Sequence, residues 1–191
     1  MSLQPKTYLT PEEYLAIERK AEYKSEYFNG EMFAMAGASE RHVLIVTNLV
    51  AELRGQLRRR PCTVYSTDLR VQVSSTGLYT YPDVIVVCGQ PQFADDQKDT
   101  LLNPTLIIEV LSDSTKDYDR GGKFQHYRAL ASLTEYVLVA QDKCHVEHYV
   151  RQPENRWLLS ETNELQDTIH LSSIECNLPL VEVYDKVDLA A

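Results

Sequence analysis

Residues 105–111 read TLIIEVL, an apolar run broken by one carboxylate, Glu109. A near-continuous apolar run of this length belongs to a strand covered on both faces. A polar connection over 113–122 follows it, then a helix with Phe124, Tyr127 and Ala131 on one face. A second apolar run, YVLVA, occupies residues 136–140. Strand, helix and strand at this spacing imply a right-handed crossover between two parallel strands. The unit sets the fold class: α/β (α+β), a mixed central sheet flanked by helices.

Working upstream, residues 80–88 (TYPDVIVVC) read as a strand that is apolar after Asp83, with Pro82 at its start or edge. Runs over 62–65 and 69–73 also read as strands, joined to the next by a turn over 74–77. Ser39 opens a long helix to about residue 60, in which Val46, Leu49, Val50, Leu53 and Leu57 recur at helical spacing. Pro61 ends it. Asn29-Gly30, between strand-like runs over 23–28 and 31–36, signals a hairpin. Thr10 and Glu13 form a capping box for a first helix over 11–21. Residues 89–103 are polar and read as a surface loop. Beyond the second apolar run, segments over 145–150, 156–160 and 168–171 are β-rich, and a closing helix or loop runs from 177. One domain is expected over 1–191, with its core over about 8–150 and a C-terminal β-rich extension over 151–191.

The 43% hydrophobic content of the 191 residues is enough for a real core. No run of 18 apolar residues suggests a membrane span. The N-terminal MSLQPKTYLTPEEY has no signal-peptide core, so the cytoplasm is the expected compartment. Cys62, Cys88, Cys144 and Cys176 are scattered and form no CxxC pair. They read as reduced thiols in or near the core, rather than a zinc site or a disulfide frame. A net charge of −9 counts against a nucleic-acid binder. Two basic clusters offset it locally: Arg54, Arg58, Arg59 and Arg60, then Lys116, Arg120, Lys123 and Arg128. No GxGxxG, P-loop, HExxH or GxSxG pattern occurs, so a nucleotide cofactor and serine hydrolysis have no support.

Three residues carry the candidate chemistry. Glu109 is a carboxylate inside an apolar strand, costly unless it meets a cation or lies at an exposed end. Asp83 is a poor strand former at the head of VIVV. Lys123, in DRGGKFQHYRAL, shares a helix face with Tyr127. The plain alternatives are an ion-paired strand-end Glu, a turn Asp and a surface lysine. His42 lies four residues before Val46 on the apolar side of the long helix. It reads either as a core histidine or as facing a site. His126, His145, His148 and His170 show no metal-ligand spacing.

As an ordered set these residues resemble the PD-(D/E)XK nuclease superfamily, and within it the bacterial restriction-endonuclease family called Uma-two. The carriers are Glu26 with Asn29-Gly30-Glu31, Ser39 and His42, Tyr81-Pro82-Asp83-Val84, and residues 104–112 (PTLIIEVLS). Asp119-Arg120 with Lys123 and Tyr127, then Glu135-Tyr136, complete the set, which spans about 8–150. The resemblance implies a restriction-endonuclease-like fold and a metal-dependent DNA endonuclease or nickase. Asp83 and Glu109 would hold Mg²⁺ or Mn²⁺, and Lys123 would position or activate the attacking water or stabilise negative charge. Glu26 or Glu31 would add a second-metal or outer-shell carboxylate, and His42 would face the site. A homodimer acting on DNA is expected, because two antiparallel strands suit two-fold symmetry. The chain departs from the superfamily pattern at Leu111, where a lysine would stand two residues after the second acid. Members of the family take that lysine from the following helix, here Lys123. Two other readings stand: a non-catalytic nucleic-acid-binding or interaction protein that keeps the fold, and a metal-dependent hydrolase of another phosphate ester.

Overall fold

The computed structural model describes residues 8–189. The absence of a signal-peptide core was read partly on residues 1–7, which lie outside that range. Thr10 caps helix α1, Pro11–Glu18, and exchanges hydrogen bonds with Glu13 in a full capping box. Strands β1, Ser25–Phe28, and β2, Glu31–Ala34, form the expected hairpin. Asn29 and Gly30 turn it with φ of 49° and 83°, the pair of positive values that a type I′ turn requires. Ser39 Oγ accepts from the His42 N–H at 3.2 Å and starts helix α2, Glu40–Leu57.

The strand expected over 80–88 is two strands in different sheets. Strands β3, Cys62–Ser66, and β4, Arg70–Val73, come first; then β5, Leu78–Thr80, and β6, Val84–Cys88. Tyr81, Pro82 and Asp83 break the run, because Pro82 has no N–H to extend a ladder. The expected surface loop over 89–103 holds a short buried strand, β7, Thr100–Leu101, which pairs parallel with β4. Thr100 turns its backbone into that ladder while its hydroxyl meets Arg70, a pairing that composition does not reveal.

Strand β8, Leu106–Leu111, is buried along its whole length. The connection after it is more helical than its polar composition suggests. Helix α3, Lys116–Tyr118, runs into one π-helical turn, Asp119–Lys123, and then into helix α4, Phe124–Tyr127. The last helix ends before Ala131. Strands β9, Glu135–Ala140, β10, Val146–Gln152, β11, Arg156–Thr162, β12, Thr168–Leu171, and β13, Cys176–Pro179, follow, and helix α5, Leu180–Val183, closes the chain.

The central sheet has the order β11-β10-β9-β8-β6-β3. Only β8 and β9, the pair expected from the crossover, run parallel; the other pairs are antiparallel. A five-stranded sheet has the order β2-β1-β5-β4-β7, and β12 pairs with β13. This is the mixed sheet with flanking helices read from the sequence. Alternation along β8 sorts the two cores. Leu106, Ile108 and Val110 face α2, β12, β13 and α5. Ile107 and Leu111 face Phe124, Tyr127 and Tyr136 together with β4, β5 and β7. Glu109 lies between Ile107 and Leu111 in that alternation, so it points to the second face. Among the described residues no helix is long and apolar enough to cross a membrane.

One cysteine reading is corrected. Cys62 and Cys88 sit opposite each other in the β3–β6 register and form a disulfide. A separation of 26 residues hides the contact in the sequence, but directly opposed antiparallel positions bring the two sulfurs together. Cys144 and Cys176 are free, as expected.

Candidate active site

The two acids meet because of strand register. Val84 pairs with Ile108 in the antiparallel β6–β8 ladder. One step further along the same register brings Asp83 beside Glu109. Asp83 is fixed there at both oxygens: Oδ2 accepts from the Val110 N–H at 2.8 Å, and Oδ1 lies 2.9 Å from His42 Nε2. An ionised carboxylate only accepts, so Nε2 of His42 carries the proton. The first turn of α2 supplies this histidine, and the Ser39 cap sets where that turn begins.

Glu109 is 3% exposed and Lys123 is 5% exposed. Glu109 Oε1 accepts from Lys123 Nζ at 2.9 Å and from the Tyr127 hydroxyl at 2.8 Å. Lys123 Nζ also lies 3.3 Å from Glu26 Oε1 and 3.5 Å from Asp119 Oδ1. Thr80 donates to the same Glu26 oxygen. One ammonium thus serves three carboxylates from three elements: β1, β8 and the π-helical turn. Such turns are rare and are found frequently at functional sites.

The electrostatics follow from this crowding. Burial pushes the Glu109 carboxyl above its usual range; the Lys123 charge opposes that shift, while Asp119 and Asp83 add to it. Burial would lower Lys123, but the attraction of Glu109, Glu26 and Asp119 outweighs it and holds the ammonium well above its usual range. In this arrangement Lys123 is held as a cation that donates hydrogen bonds. Burial also raises Asp119, against the pull of Lys123. Burial and the neighbouring Glu109 raise the Tyr127 hydroxyl, so it stays a donor.

The four acids and Lys123 line one cavity of about 1070 Å³. Its charged walls are Glu26, Asp83, Glu109 and Asp119 against Lys24 and Lys123, with His42 beside them. Its other wall is apolar: Phe33, Met35, Val43, Val46 and Val50. Asp83, Glu109, Lys123, Glu26 and His42 all belong to it. Glu31 does not line it; it is half-buried in β2 opposite Phe28, on the face that carries Glu26 but one pair nearer the turn. The first basic cluster stays outside as well. Arg54, Arg58 and Arg59 are exposed near the far end of α2, and Arg60 holds the carbonyls of Ile174 and Glu175. Sequence reasoning assigned no role to Asp119, although its spacing of four from Lys123 was the available signal. It also missed Tyr118, which lines the cavity beside Glu26.

Among the described residues no group of three or more His, Cys, Asp or Glu side chains is arranged to hold an ion by itself. The donor set nevertheless suits a hard divalent cation. Mg²⁺ is commonly held by one or two carboxylates, with waters and substrate phosphate oxygens completing its shell. Asp83 and Glu109 supply the carboxylates. The cavity carries four acids against two lysines, an excess of negative charge that a cation offsets.

Comparison with known proteins adds three findings. The model of the Uma2 family, described as "Putative restriction endonuclease", matches residues 11–180. Two proteins of Synechocystis sp. PCC 6803 are similar in sequence. One, sll1609, is 39% identical over 153 residues, covering 80% of this chain and 86% of its own. The other, slr1290, is 36% identical over 178 residues, covering 92% and 91%. A crystal structure from Anabaena variabilis, described as "a putative nuclease belonging to DUF820", superposes with a TM-score of 0.74 over 92% of this chain and 97% of its own. At 17% identity that likeness speaks for the fold alone.

Proposed function

This chain belongs to the Uma2 family, and from that premise we propose that it is a metal-dependent endonuclease that hydrolyses phosphodiester bonds in DNA. The observation that carries the reading is the Lys123 ammonium, 2.9 Å from Glu109 in the cavity that also holds Asp83. Leu111 occupies the position where the superfamily pattern has its lysine, and a lysine from another element reaches the strand carboxylate instead.

Asp83 and Glu109 are the residues that would hold Mg²⁺ or Mn²⁺. When bound, such an ion supplies a Lewis acid and a water of lowered pKa. The chain's own groups do the rest. Lys123, kept cationic by its acids, donates hydrogen bonds to the attacking water or to a phosphate oxygen and stabilises charge that develops there. Tyr127 and Asp119 hold Lys123 and Glu109 in register. The His42 N–H fixes one oxygen of Asp83, leaving lone pairs free for a ligand. Glu26, at 3.3 Å from the ammonium, is an outer carboxylate that tunes Lys123. Glu31, on the same hairpin face as Glu26, does not line the cavity.

A second reading, a binding protein that kept the fold without catalysis, draws on the charge. The chain carries −9 overall, and the cavity has more acids than bases.

Cleavage of supercoiled plasmid with Mg²⁺ or Mn²⁺ separates the two. Wild type should nick or linearise the plasmid and stop in excess chelator. Asp83→Asn, Glu109→Gln and Lys123→Met should each lose about a hundredfold or more in rate. A folded wild type that cuts no DNA form would leave the binding reading. Retained activity in Lys123→Met would remove the lysine from the mechanism.

A further inference from the structure

We infer that β11 is the interface of a two-fold homodimer, pairing antiparallel with the β11 of a second copy so that Leu159 lies opposite the partner's Leu159. This rests on the sheet edge and stands apart from the phosphodiesterase reading.

β11 ends the six-stranded sheet and is hydrogen-bonded on one side only, to β10. Proteins commonly blunt exposed edges with Pro, charged side chains (Lys above all) or a bulge; here the charges, Arg156 and Glu161, stand only towards the two ends. Residues 156–162 (RWLLSET) contain neither Pro nor Lys, and the ladder to β10 runs unbroken from Val146–Thr162 to Gln152–Arg156. Leu158 is 60% exposed and Leu159 is 46% exposed, on opposite faces of the strand.

The direction of the free backbone groups can be derived. The Arg151 N–H donates to the Thr134 carbonyl, on the β9 side of β10. Its peptide groups therefore point away from β11, and Arg151–Trp157 is a non-bonded pair of the ladder. Alternation then turns the N–H and C=O of Trp157, Leu159 and Glu161 outward.

A two-fold axis normal to an antiparallel sheet sets one residue opposite its own copy. Centring it on Leu159 uses all three outward positions. Leu159 exchanges two bonds with the partner's Leu159, and Trp157 and Glu161 exchange two each with the partner's Glu161 and the partner's Trp157. Centring it on Trp157 or Glu161 loses part of that overlap. The side chains agree with this register. Tyr149 pairs with Leu159 across β10–β11, so the four-strand row is apolar from end to end. Arg151 stacks on Trp157 at 4.6 Å. Its guanidinium bonds the carbonyls of Leu133, Arg128 and Leu130 and the side chain of Asn155, and has no carboxylate pair among the described residues. The pairing brings the partner's Glu161, which is 55% exposed in one copy, to that face at both ends.

The test is sedimentation velocity on the full chain at micromolar concentration. Wild type should sediment as a dimer. Leu159→Lys should give a monomer with unchanged circular dichroism, since this side chain lies outside the core. In a Cys144→Ser background, Leu159→Cys should oxidise to a covalent dimer, because directly opposed bonded positions fall within disulfide reach. The more exposed Leu158→Cys should not. A monomeric wild type, a dimer that Leu159→Lys leaves intact, or equal crosslinking at both positions would each overturn the inference.

Discussion

A buried carboxylate inside a hydrophobic strand was legible from residue type alone, because the cost of stranding such a charge demands a partner. The sequence therefore announced Glu109, but the partner was less visible. Lys123 stands fourteen residues on, and only the fold brings its ammonium to 2.9 Å. Asp119 stood in the ordered set without a role, because nothing in a run of polar residues marks which one is buried; here it is 3% exposed. The three-acid arrangement makes an energetic prediction. Lys123→Met leaves Glu109, Asp119 and Glu26 uncompensated, and breaking a buried pair from one side costs about 3–5 kcal/mol. The double variant Lys123→Met, Glu109→Gln should cost clearly less than the two single costs added, as read from urea unfolding. Additive costs would mean that the two groups do not sense each other. A second prediction concerns Glu135, fully buried at the start of β9. Burial alone would raise its carboxyl, but the His148 ring 3.5 Å away and hydrogen bonds from Ser173 and Ser172 outweigh burial and hold it below its usual range. A depressed carboxyl contributes stability that is present above the unfolded-state pKa and lost as pH falls through the folded-state value. Unfolding free energy of the wild type should therefore decline on the acid side, below about pH 4.5, more steeply than that of Glu135→Gln. Parallel curves would count against this network.

Elements were legible where period and punctuation agreed. The Thr10 cap, the Asn29-Gly30 turn, the long α2 and the parallel β8–β9 pair all follow from local chemistry. Boundaries failed where tertiary contacts overrode it. Pro82 split one apparent strand between two sheets, and β7 formed inside a polar stretch because β4 offered it a ladder. The most consequential miss was the π-helical turn, in which Gly121-Gly122 reads as a breaker yet continues the helix. The two glycines differ sharply in surroundings. A Cβ at Gly121 would meet nothing within 4 Å, whereas one at Gly122 would sit 3.1 Å from two ring carbons of Tyr118. Gly121→Ala should stabilise by about 0.5–1 kcal/mol through the unfolded chain's entropy. Gly122→Ala should instead displace Tyr118, a wall of the cavity, and lower activity even if the fold tolerates it. Denaturant unfolding with a parallel cleavage assay decides; equal effects of the two substitutions would sink the distinction.

At the scale of the molecule, the fold class came from one βαβ unit, but the partition into three sheets did not. Strands that are neighbours in space are distant in sequence: β1 pairs with β5, and β3 with β6. The disulfide belongs to the same class of long-range fact. It joins β3, the edge strand of the central sheet opposite β11, to β6, and closes a chain segment of 26 residues. Loop closure of that size is worth roughly 3 kcal/mol in the unfolded state. A reductant, or Cys62→Ser with Cys88→Ser, should thus lower the melting temperature by several degrees while leaving the acid cavity intact. A melting curve indifferent to reductant would show that the bond does not persist in solution. The charge of −9 was legible too, but its placement was not: four acids converge on one cavity, while exposed arginines lie at the end of α2.

The step of register that sets Asp83 beside Glu109 also governs which changes a lineage of such proteins can survive. A single inserted residue within β6 or β8 would invert the facing of every side chain beyond it and part the acids irreparably. Loops on either side can lengthen freely. Lys123 answers to a looser constraint, since any stretch of chain that delivers an ammonium to the same point serves equally well. The two carboxylates are thus tied to each other by a ladder, while Lys123 reaches Glu109 from a helical turn that no ladder joins to β8.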